Sequence, residues 1–273
     1  MDKILDISEL EKTAKEIRKG IIEAVYKAKS GHPGGSLSIA DILTVLYFNE
    51  MNIDENNPKW EDRDRFVLSK GHCAPALYSA LSQRGFFHRD LLYTLRNLNS
   101  SLQGHPDMNK VPGVDMTTGS LGQGLSVANG MAISAKLDNK NYRVYAILGD
   151  GEIEEGQIWE AAMASSKYKL DNLCVIVDKN NLQIDGRTDE VMSSAPLDDK
   201  FKSFGFEVIS INGNNILEIM QAFAKAKTIK NKPTCIIAET VKGKGVSFME
   251  NKPEWHGKAP NEEQYNLAME ELK

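Results

Sequence analysis

Two stretches, RVYAILGDG at residues 143–151 and LCVIVDKNN at residues 173–181, decide the fold. Each is a near-continuous apolar run, which is typical of a strand buried on both faces of a parallel sheet. Each run ends in turn-forming polar residues, and a helical pattern at residues 157–168 separates the two. Because a single helical crossover joins them, we expect their carboxyl ends to face the same crevice.

The rest of the chain alternates between strand and helix patterns in the same way. Further apolar runs predict strands at residues 207–211 and 234–239. Apolar residues at helical spacing predict helices at residues 8–29, 38–49, 74–83 and 90–98, so the first third of the chain is expected to be helical. The same spacing predicts helices at residues 123–137 and 216–229. This order predicts an α/β fold, in which helices cover both faces of a parallel sheet.

The chain contains no low-complexity segment and no internal repeat, and its 273 residues suit one large α/β domain or two small ones. We expect a single domain over residues 1–273. Its parts are N-terminal helices over residues 1–100, a parallel core over about 110–245, and a C-terminal loop with a short helix over 246–273.

Composition and charge exclude several classes of protein. Apolar residues make up 41% and charged residues 26%, as in an ordinary globular protein. No apolar run approaches the roughly 20 residues that cross a membrane, and the N-terminus lacks a signal-peptide core. A net charge of −5 without a basic stripe argues against nucleic acid as a partner. Three cysteines without a CxxC pair are typical of buried, reduced thiols, so we expect a cytoplasmic protein.

Asp150 and Asn180 follow the two central strands and carry oxygen atoms that suit a metal ion. Mg²⁺ prefers such oxygens and completes its octahedral shell with phosphate oxygens and water. Gly149 and Gly151 let the backbone approach a ligand, and the following helix offers free N–H groups to an anion. The alternative is a tight turn with a helix cap, since Gly-Asp-Gly and Asn-Asn are common turn residues. The pairing of the two positions favours a metal that holds a phosphorylated cofactor.

GDGEIEEG at residues 149–156, followed by NNLQIDG at residues 180–186, resembles the thiamine diphosphate motif. Four further stretches occur in the order found in the N-terminal half of transketolases: SGHPGGSLSIAD (30–41), RDRFVLSKGHCAPALY (63–78), QGHPDMNKVPGVDMTTGSLGQGLS (103–126) and KPEWHGKAP (252–260). A lone GDG is weak evidence for a family, but five matching blocks in the family's order are specific to it. The chain is therefore identified as similar to the transketolase family from about residue 10 to residue 260.

The resemblance implies a metal site and its cofactor, thiamine diphosphate. The family's metal ligands fall on Asp150, Asn180 and the backbone carbonyl of Leu182. The implied metal is Mg²⁺, with Ca²⁺ or Mn²⁺ as alternatives. Lys244 and Lys258 are further candidates for phosphate contacts, although we expect them to be solvated surface side chains.

The resemblance also implies contacts along the cofactor. Gly151 matches a position beside the diphosphate, and Gly119 and Leu121 match positions whose backbone meets the aminopyrimidine. Glu155 matches a glutamate that links two active sites across a dimer in the family. The family usually has proline where Ser120 stands, a mild departure because the neighbouring contacts come from backbone.

Four of the five histidines adjoin a glycine, which indicates loops where an imidazole can reach a ligand. A solvated loop histidine is the alternative for each of them. The resemblance implies catalytic roles for His32, His105 and His256, and cofactor contacts for His72 and His256. Imidazole suits proton transfer because its pKa lies near neutrality. His88, on a predicted helix, is expected to be structural.

In transketolases the cofactor lies between two domains, and the second domain supplies a glutamate to the aminopyrimidine. This chain matches the first domain only, which implies an N-terminal subunit of a split transketolase. Its expected partner is a C-terminal subunit carrying the pyrimidine-binding domain, in an α₂β₂ heterotetramer. We expect the apolar helices at residues 38–49 and 123–137 to pack against another subunit.

The implied activity is transfer of a two-carbon ketol unit from a ketose phosphate to an aldose phosphate. One alternative is a split ketol-transferase that acts on another sugar or on a sulfo-sugar. The other is a non-catalytic half that only binds thiamine diphosphate. Retention of the metal and histidine positions argues against the non-catalytic half. The sequence does not distinguish the transketolase from a ketol-transferase that acts on another sugar.

Overall fold

The protein is built on one sheet of five parallel strands, as seen in a computed structural model that describes residues 3–273. The strands are β1 (Arg65–Leu68), β2 (Val144–Gly149), β3 (Leu173–Lys179), β4 (Glu207–Asn212) and β5 (Thr234–Glu239), in the spatial order β1-β2-β3-β5-β4. The parallel α/β sheet and its last four strands confirm the sequence prediction. The prediction of a wholly helical first third is wrong at β1, because this four-residue strand is too short to show a pattern of its own.

Helices precede and connect the strands. They are α1 (Ile7–Ala28), α2 (Pro33–Ser38), α3 (Ala40–Val45), α4 (Ala74–Arg84), α5 (Gly124–Leu137), α6 (Gly156–Lys167), α7 (Thr188–Val191), α8 (Leu197–Ser203), α9 (Ile216–Thr228) and α10 (Glu262–Glu271). None of the helices within residues 3–273 is long and apolar enough to cross a membrane.

The pattern in α1 shows how an apolar stripe becomes packing. Asp6 begins the helix, where its side chain accepts a hydrogen bond from the backbone N–H of Glu9. Leu10, Ile17 and Ile21 are fully buried on one side, and this side packs against α4 and α3. Burying a large aliphatic side chain contributes roughly 1.5–3 kcal/mol, so the stripe holds α1 firmly to the domain.

The predicted helix at residues 38–49 is broken into α2, α3 and a wider π-type turn at Leu46–Glu50. Ile39 interrupts the helix with a φ of −97° and a ψ of 6°. Apart from Asn49, the side chains of this segment are buried within the chain. The prediction that this segment packs against another subunit is therefore wrong, since the chain's own core already covers it.

The predicted helix at residues 90–98 is also shorter than expected. It consists of a 3₁₀ segment at Arg89–Thr94, after which Arg96 takes a left-handed backbone conformation with a φ of 61°. His88 lies just before this segment, is exposed, and accepts a hydrogen bond from the backbone N–H of Asp90. The prediction that His88 lies on a helix is therefore wrong, because the 3₁₀ segment begins after it.

Helices cover both faces of the sheet, as predicted. Tyr145 and Ile147 of β2 point into one core with α1, α3, α4 and α9. Ala146 and Leu148 point the other way, into a core with α5, α6 and α8. All three cysteines are buried and unpaired, in agreement with the expectation of buried thiols.

The register of the sheet sets the position of the candidate site. Gly149, at the end of β2, pairs with Asp178 near the end of β3. Lys179 pairs in turn with Glu239 at the end of β5. The loops that follow these strands therefore start side by side at the carboxyl edge of the sheet, where parallel α/β proteins bind ligands.

Candidate active site

Asp150 is a buried carboxylate held between the two central loops. Its Oδ1 accepts a hydrogen bond of 3.0 Å from the backbone N–H of Gly151, and its Oδ2 accepts one of 2.6 Å from Asn181. Burial, followed by repulsion from the carboxylate of Asp178, raises the pKa of Asp150 from 3.8 to about 7. A buried carboxylate with this electrostatic cost is stabilised by a bound cation.

Asn180 is oriented by its neighbours at the end of β3. Its Nδ2 donates to Oδ2 of Asp178 over 3.0 Å, and its Oδ1 accepts from the backbone N–H of Leu182 over 3.1 Å. These two bonds fix which end of the amide carries oxygen. The structure thus brings Asp150, Asn180 and the Leu182 backbone to one edge of the sheet, as predicted.

The donor set at this edge is one carboxylate, one amide and one carbonyl. No group of three or more His, Cys, Asp or Glu residues within the described chain is arranged to hold a metal. All three oxygens are hard donors, and they leave room in the shell for phosphate and water, which is the pattern that Mg²⁺ prefers. The residues present therefore fit a divalent cation that also binds a phosphorylated ligand.

Beneath Asn180, Asp178 and Lys70 form a buried ion pair that sequence reasoning did not identify. Asp178 also accepts hydrogen bonds from the hydroxyls of Ser38 and Thr240. Burial opposes ionisation of Asp178, but Lys70 and these hydrogen bonds outweigh it and hold the pKa below its usual value. Asp178 is therefore a fixed acceptor that orients Asn180, rather than a free ligand.

Three of the predicted histidines cluster above this edge. The ring centroids of His32, His72 and His256 lie 5.1–5.3 Å from one another. Burial, reinforced by neighbouring positive groups, lowers the pKa of His32 and His72 from 6.5 to about 4, and that of His256 to about 3. All three rings are therefore neutral at physiological pH and can form hydrogen bonds to a polar ligand.

His105 lies more exposed, next to the loop that contains Gly119. A side chain at Gly119 would come within 3.2 Å of the His105 ring, and one at Gly71 within 2.9 Å of the Gly119 backbone nitrogen. Both glycines are thus required for close packing of this loop against the histidine loops. Burial, followed by His72 and Arg96, lowers the pKa of His105. The structure therefore brings His105 and Gly119 to the edge of the cluster.

Lys242 connects the histidine cluster with the strand ends, although sequence reasoning missed it. Its side chain is buried, and Nζ lies 3.2 Å from Nδ1 of His256 and 3.3 Å from the carbonyl oxygen of Leu182. Burial, and then repulsion from Lys70, lowers its pKa to about 8. This buried cation at the ligand edge is placed to contact an anion.

The two lysines considered from sequence as phosphate contacts are at the surface, as expected. Lys244 faces Glu250 at 3.5 Å, and Lys258 lies over the ring of Trp255 at 5.1 Å. The only sequence signal for Lys242 was its place in KGKG, immediately after β5. Gly243 has a φ of 82° and packs against the backbone of Met249, which turns the chain sharply there.

Glu152 is a further buried charged residue that the sequence did not single out. Its two carboxylate oxygens accept hydrogen bonds of 2.9 Å from the N–H of Gly122 and 3.0 Å from that of Gly149. It also accepts one from the Ser69 hydroxyl. One carboxylate therefore joins the loops that follow β1 and β2 to the loop that carries Gly119 and Leu121.

The remaining predicted residues lie around this centre. Gly151 follows Asp150 and is partly buried, with Gln183 in contact. Leu121 is 37% exposed, and Glu155 is exposed at the surface beside Gly122. Glu155 and Leu121 therefore face outwards, where another subunit could reach them.

A parallel sheet with an Asp–Asn pair at its carboxyl edge, beneath neutral histidines, defines a thiamine diphosphate-binding α/β domain. Residues 10–272 match the family model described as transketolase, thiamine diphosphate binding domain. The chain therefore belongs to the transketolase family, as its thiamine diphosphate-binding part.

Comparison with individual proteins gives the same family. The chain is 47% identical over 268 residues to one subunit of the apulose-4-phosphate transketolase of Phocaeicola vulgatus, covering 98% of this chain and 95% of that protein. It is 48% identical over 264 residues to the 6-deoxy-6-sulfo-D-fructose transketolase subunit SqwG of a Clostridium species, covering 97% and 96%.

Longer transketolases match over part of their length. The chain is 44% identical over 253 residues to the transketolase of Homo sapiens, covering 91% of this chain but 40% of that protein. The crystal structure of transketolase from Campylobacter jejuni superposes with a TM-score of 0.92 at 36% identity, covering 98% of this chain and 43% of that one.

Proposed function

We propose that this chain is the cofactor-binding subunit of a two-chain ketol-transferase. The observation that carries the proposal is the joining of the Asp150 and Asn180 loops through the 2.6 Å bond from the Asn181 N–H to Asp150. That bond gathers hard oxygen donors directly beneath the neutral histidines. Relatives of matching length that are named as transketolase subunits support the two-chain assembly.

Asp150, Asn180 and the Leu182 carbonyl would hold the divalent metal in this proposal. Mg²⁺ fits the donor set best, with Ca²⁺ and Mn²⁺ as alternatives. The raised pKa of Asp150 supports this assignment, because a cation compensates the buried charge that burial makes costly.

The diphosphate would lie between the metal ligands and the histidine cluster. Gly151 offers its backbone, while His72, His256 and Lys242 offer hydrogen-bond donors on the opposite side. Bound thiamine diphosphate supplies the chemistry for breaking a carbon–carbon bond next to a carbonyl. The chain's own part is to bind the charged end, exclude water and offer hydrogen bonds to substrate hydroxyls.

The aminopyrimidine end would extend past Gly119 and Leu121 towards a second polypeptide. Leu121 and Glu155 face outwards beside this loop, which suits contact with a partner subunit. We propose that the partner carries the pyrimidine-binding domain and the activating glutamate, in an α₂β₂ heterotetramer in the cytoplasm. His32 and His105 would then face the substrate in the cleft between the subunits.

The substrate is proposed to be a ketose that carries an anionic group. One relative is named for apulose 4-phosphate and another for 6-deoxy-6-sulfo-D-fructose, so phosphate and sulfonate are both candidates for this chain. Xylulose 5-phosphate, as in the pentose phosphate pathway, is the third candidate. The retained buried donors argue against a non-catalytic role, since an unused site would not need neutral histidines beside a buried carboxylate.

The test is reconstitution with the polypeptide encoded by the neighbouring reading frame. The two chains are co-purified, saturated with Mg²⁺ and thiamine diphosphate, and assayed with the three donors against an aldose phosphate acceptor. Turnover with any donor supports the proposed reaction and identifies the sugar class. Binding of the cofactor without turnover on all three donors would contradict the enzyme and favour the binding-only alternative.

A further inference from the structure

Arg96 is a cation beside the histidine cluster whose role the proposed cofactor site does not explain. Its Nη1 donates to the hydroxyl of Ser30 over 2.7 Å, and its Nη2 lies 3.3 Å from Nδ1 of His32. Its backbone N–H donates to the carbonyl of Leu102 over 2.8 Å, and its guanidinium packs over Gly104. Within residues 3–273 no carboxylate forms a salt bridge with it. Arg96 is thus held firmly and directed at one ring nitrogen.

The chemistry of a guanidinium determines what this contact means. Arginine has only donors and stays protonated in proteins. Nδ1 of His32 must therefore be the acceptor, and the ring proton of the neutral imidazole must lie on Nε2. That nitrogen faces the inside of the cluster, where a side chain at Gly257 would come within 3.7 Å of it. His32 consequently presents an N–H donor to the site.

We propose that Arg96 is a positioning residue that locks His32 in its neutral Nε2–H form, so that His32 serves as a fixed hydrogen-bond donor and not as a proton carrier. The role of His32 as a donor to a substrate oxygen rests on the proposed function. The tautomer of His32 does not rest on it, because the tautomer follows from the contact between Arg96 and His32.

The surroundings of His32 reinforce this form. The groups that face it from the packed loops are Arg96, His72, His105, His256 and Lys242, and none of them is an anion. A second proton on His32 would have to displace Arg96 and would meet only positive or neutral neighbours. The pKa of His32, lowered to about 4 by burial and these neighbours, agrees with that geometry.

A second histidine in the cluster has the same arrangement. Nζ of Lys242 lies 3.2 Å from Nδ1 of His256, and an ammonium group also has only donors. While Lys242 is protonated, Nδ1 of His256 must therefore accept, and His256 presents Nε2–H to the site as His32 does.

The test is NMR of the full chain labelled with ¹⁵N-histidine, since the ¹⁵N shift distinguishes a protonated ring nitrogen from a bare one. Five histidines allow assignment by single substitutions. In the wild type we expect His32 to carry its proton on Nε2 from pH 6 to pH 8. In Arg96→Met the pKa of His32 should rise above about 4 by the share that Arg96 contributes beside burial and His72, and its Nδ1 signal should move towards that of an exchanging ring. Arg96→Lys, which keeps a donor-only cation, should restore the wild-type signals.

Ser30→Ala provides a second variant if Arg96→Met does not fold, because it removes only the support for Arg96 and should give a smaller change in the same direction. An unchanged Nδ1 signal and pKa in both Arg96→Met and Ser30→Ala would overturn the proposal, as would a wild-type His32 protonated on Nδ1. The measurement needs neither cofactor nor partner, so its failure is separate from failure of the ketol-transfer assay. In the assembled enzyme, Arg96→Met should also acquire a loss of kcat/KM towards acid pH that begins at a higher pH than in the wild type, and Arg96→Lys should not show this change.

Discussion

Replacing Asp150 by asparagine should remove a pH dependence from the stability of the chain. In the folded protein, burial and Asp178 raise the pKa of Asp150 to about 7, whereas the unfolded value is 3.8. Between these two values the folded state keeps a proton that the unfolded state has released. The contribution of Asp150 to stability is therefore complete below pH 3.8 and is lost as the pH rises through 7.

The magnitude follows from the two pKa values. Each pH unit inside the window lowers the free energy of unfolding by up to about 1.4 kcal/mol. From pH 5 to pH 8 the wild type should lose roughly 2–3 kcal/mol through this group, or roughly 5–10 °C in Tm for a chain of this size. The variant loses one acceptor for a backbone N–H, at about 1–2 kcal/mol, but at every pH alike. The slope with pH, and not the absolute stability, is thus the informative quantity.

Thermal unfolding of wild type and Asp150→Asn at pH 5, 6, 7 and 8, with a chelator present, measures this slope. The histidines contribute an opposite slope below pH 6.5, because their pKa values are lowered, and this contribution cancels in the comparison. Asp185→Asn, an exposed carboxylate in the neighbouring loop, is the matched control. Parallel pH profiles for wild type and Asp150→Asn would refute the reasoning. Mg²⁺ with thiamine diphosphate should remove the slope in the wild type and leave the variant unchanged.

Three further predictions concern the proposed enzyme. With the partner present, His105→Ala and His256→Ala should each lower kcat/KM by roughly 10²–10⁴-fold while cofactor affinity from calorimetry changes far less, because their contacts matter most in the transition state. The exposed His88→Ala is the control, and an equal loss there would show a general folding defect. Lys242→Met should weaken thiamine diphosphate binding by about 1.5–3 kcal/mol, the value of a hydrogen bond to a charged group, and an unchanged Kd would remove Lys242 from the diphosphate site. The chain alone, saturated with Mg²⁺ and thiamine diphosphate, should show no ketol transfer, and robust turnover without a second polypeptide would disprove the two-chain assembly.

The sequence predicted the parts of the fold that repeat over many residues. Long apolar runs identified β2 to β5, and helical spacing identified α1 and α9. β1 was missed because RFVL follows the charged residues EDRD and has only four residues of its own. It forms through pairing along β2, where Arg65 lies opposite Val144 and Leu68 opposite Ile147. Such pairing depends on the other strand, which local propensity does not describe.

Some residues of the candidate site were likewise predictable from the sequence, and others were not. Glycine-flanked residues, such as Asp150 and His256, were found because turns and motifs are local. Lys70, Glu152 and Lys242 were missed because nothing local separates a buried charge from a surface one. Lys70 meets Asp178 across 108 positions of sequence. These residues become recognisable only when the fold places them out of water, against a specific partner.

The charges at the site explain why metal and diphosphate belong together. Asp150 is buried and forms no salt bridge within residues 3–273, while Lys242 lies close enough to Asp150 and Lys70 for all three to influence one another's ionisation. A cation alone at Asp150 would meet repulsion from both lysines, and a diphosphate alone would meet the carboxylate. Bound together, each cancels the repulsion that the other meets, so their binding is coupled. The same arrangement makes the fold less stable without ligands, as expected where selection for a function opposes stability.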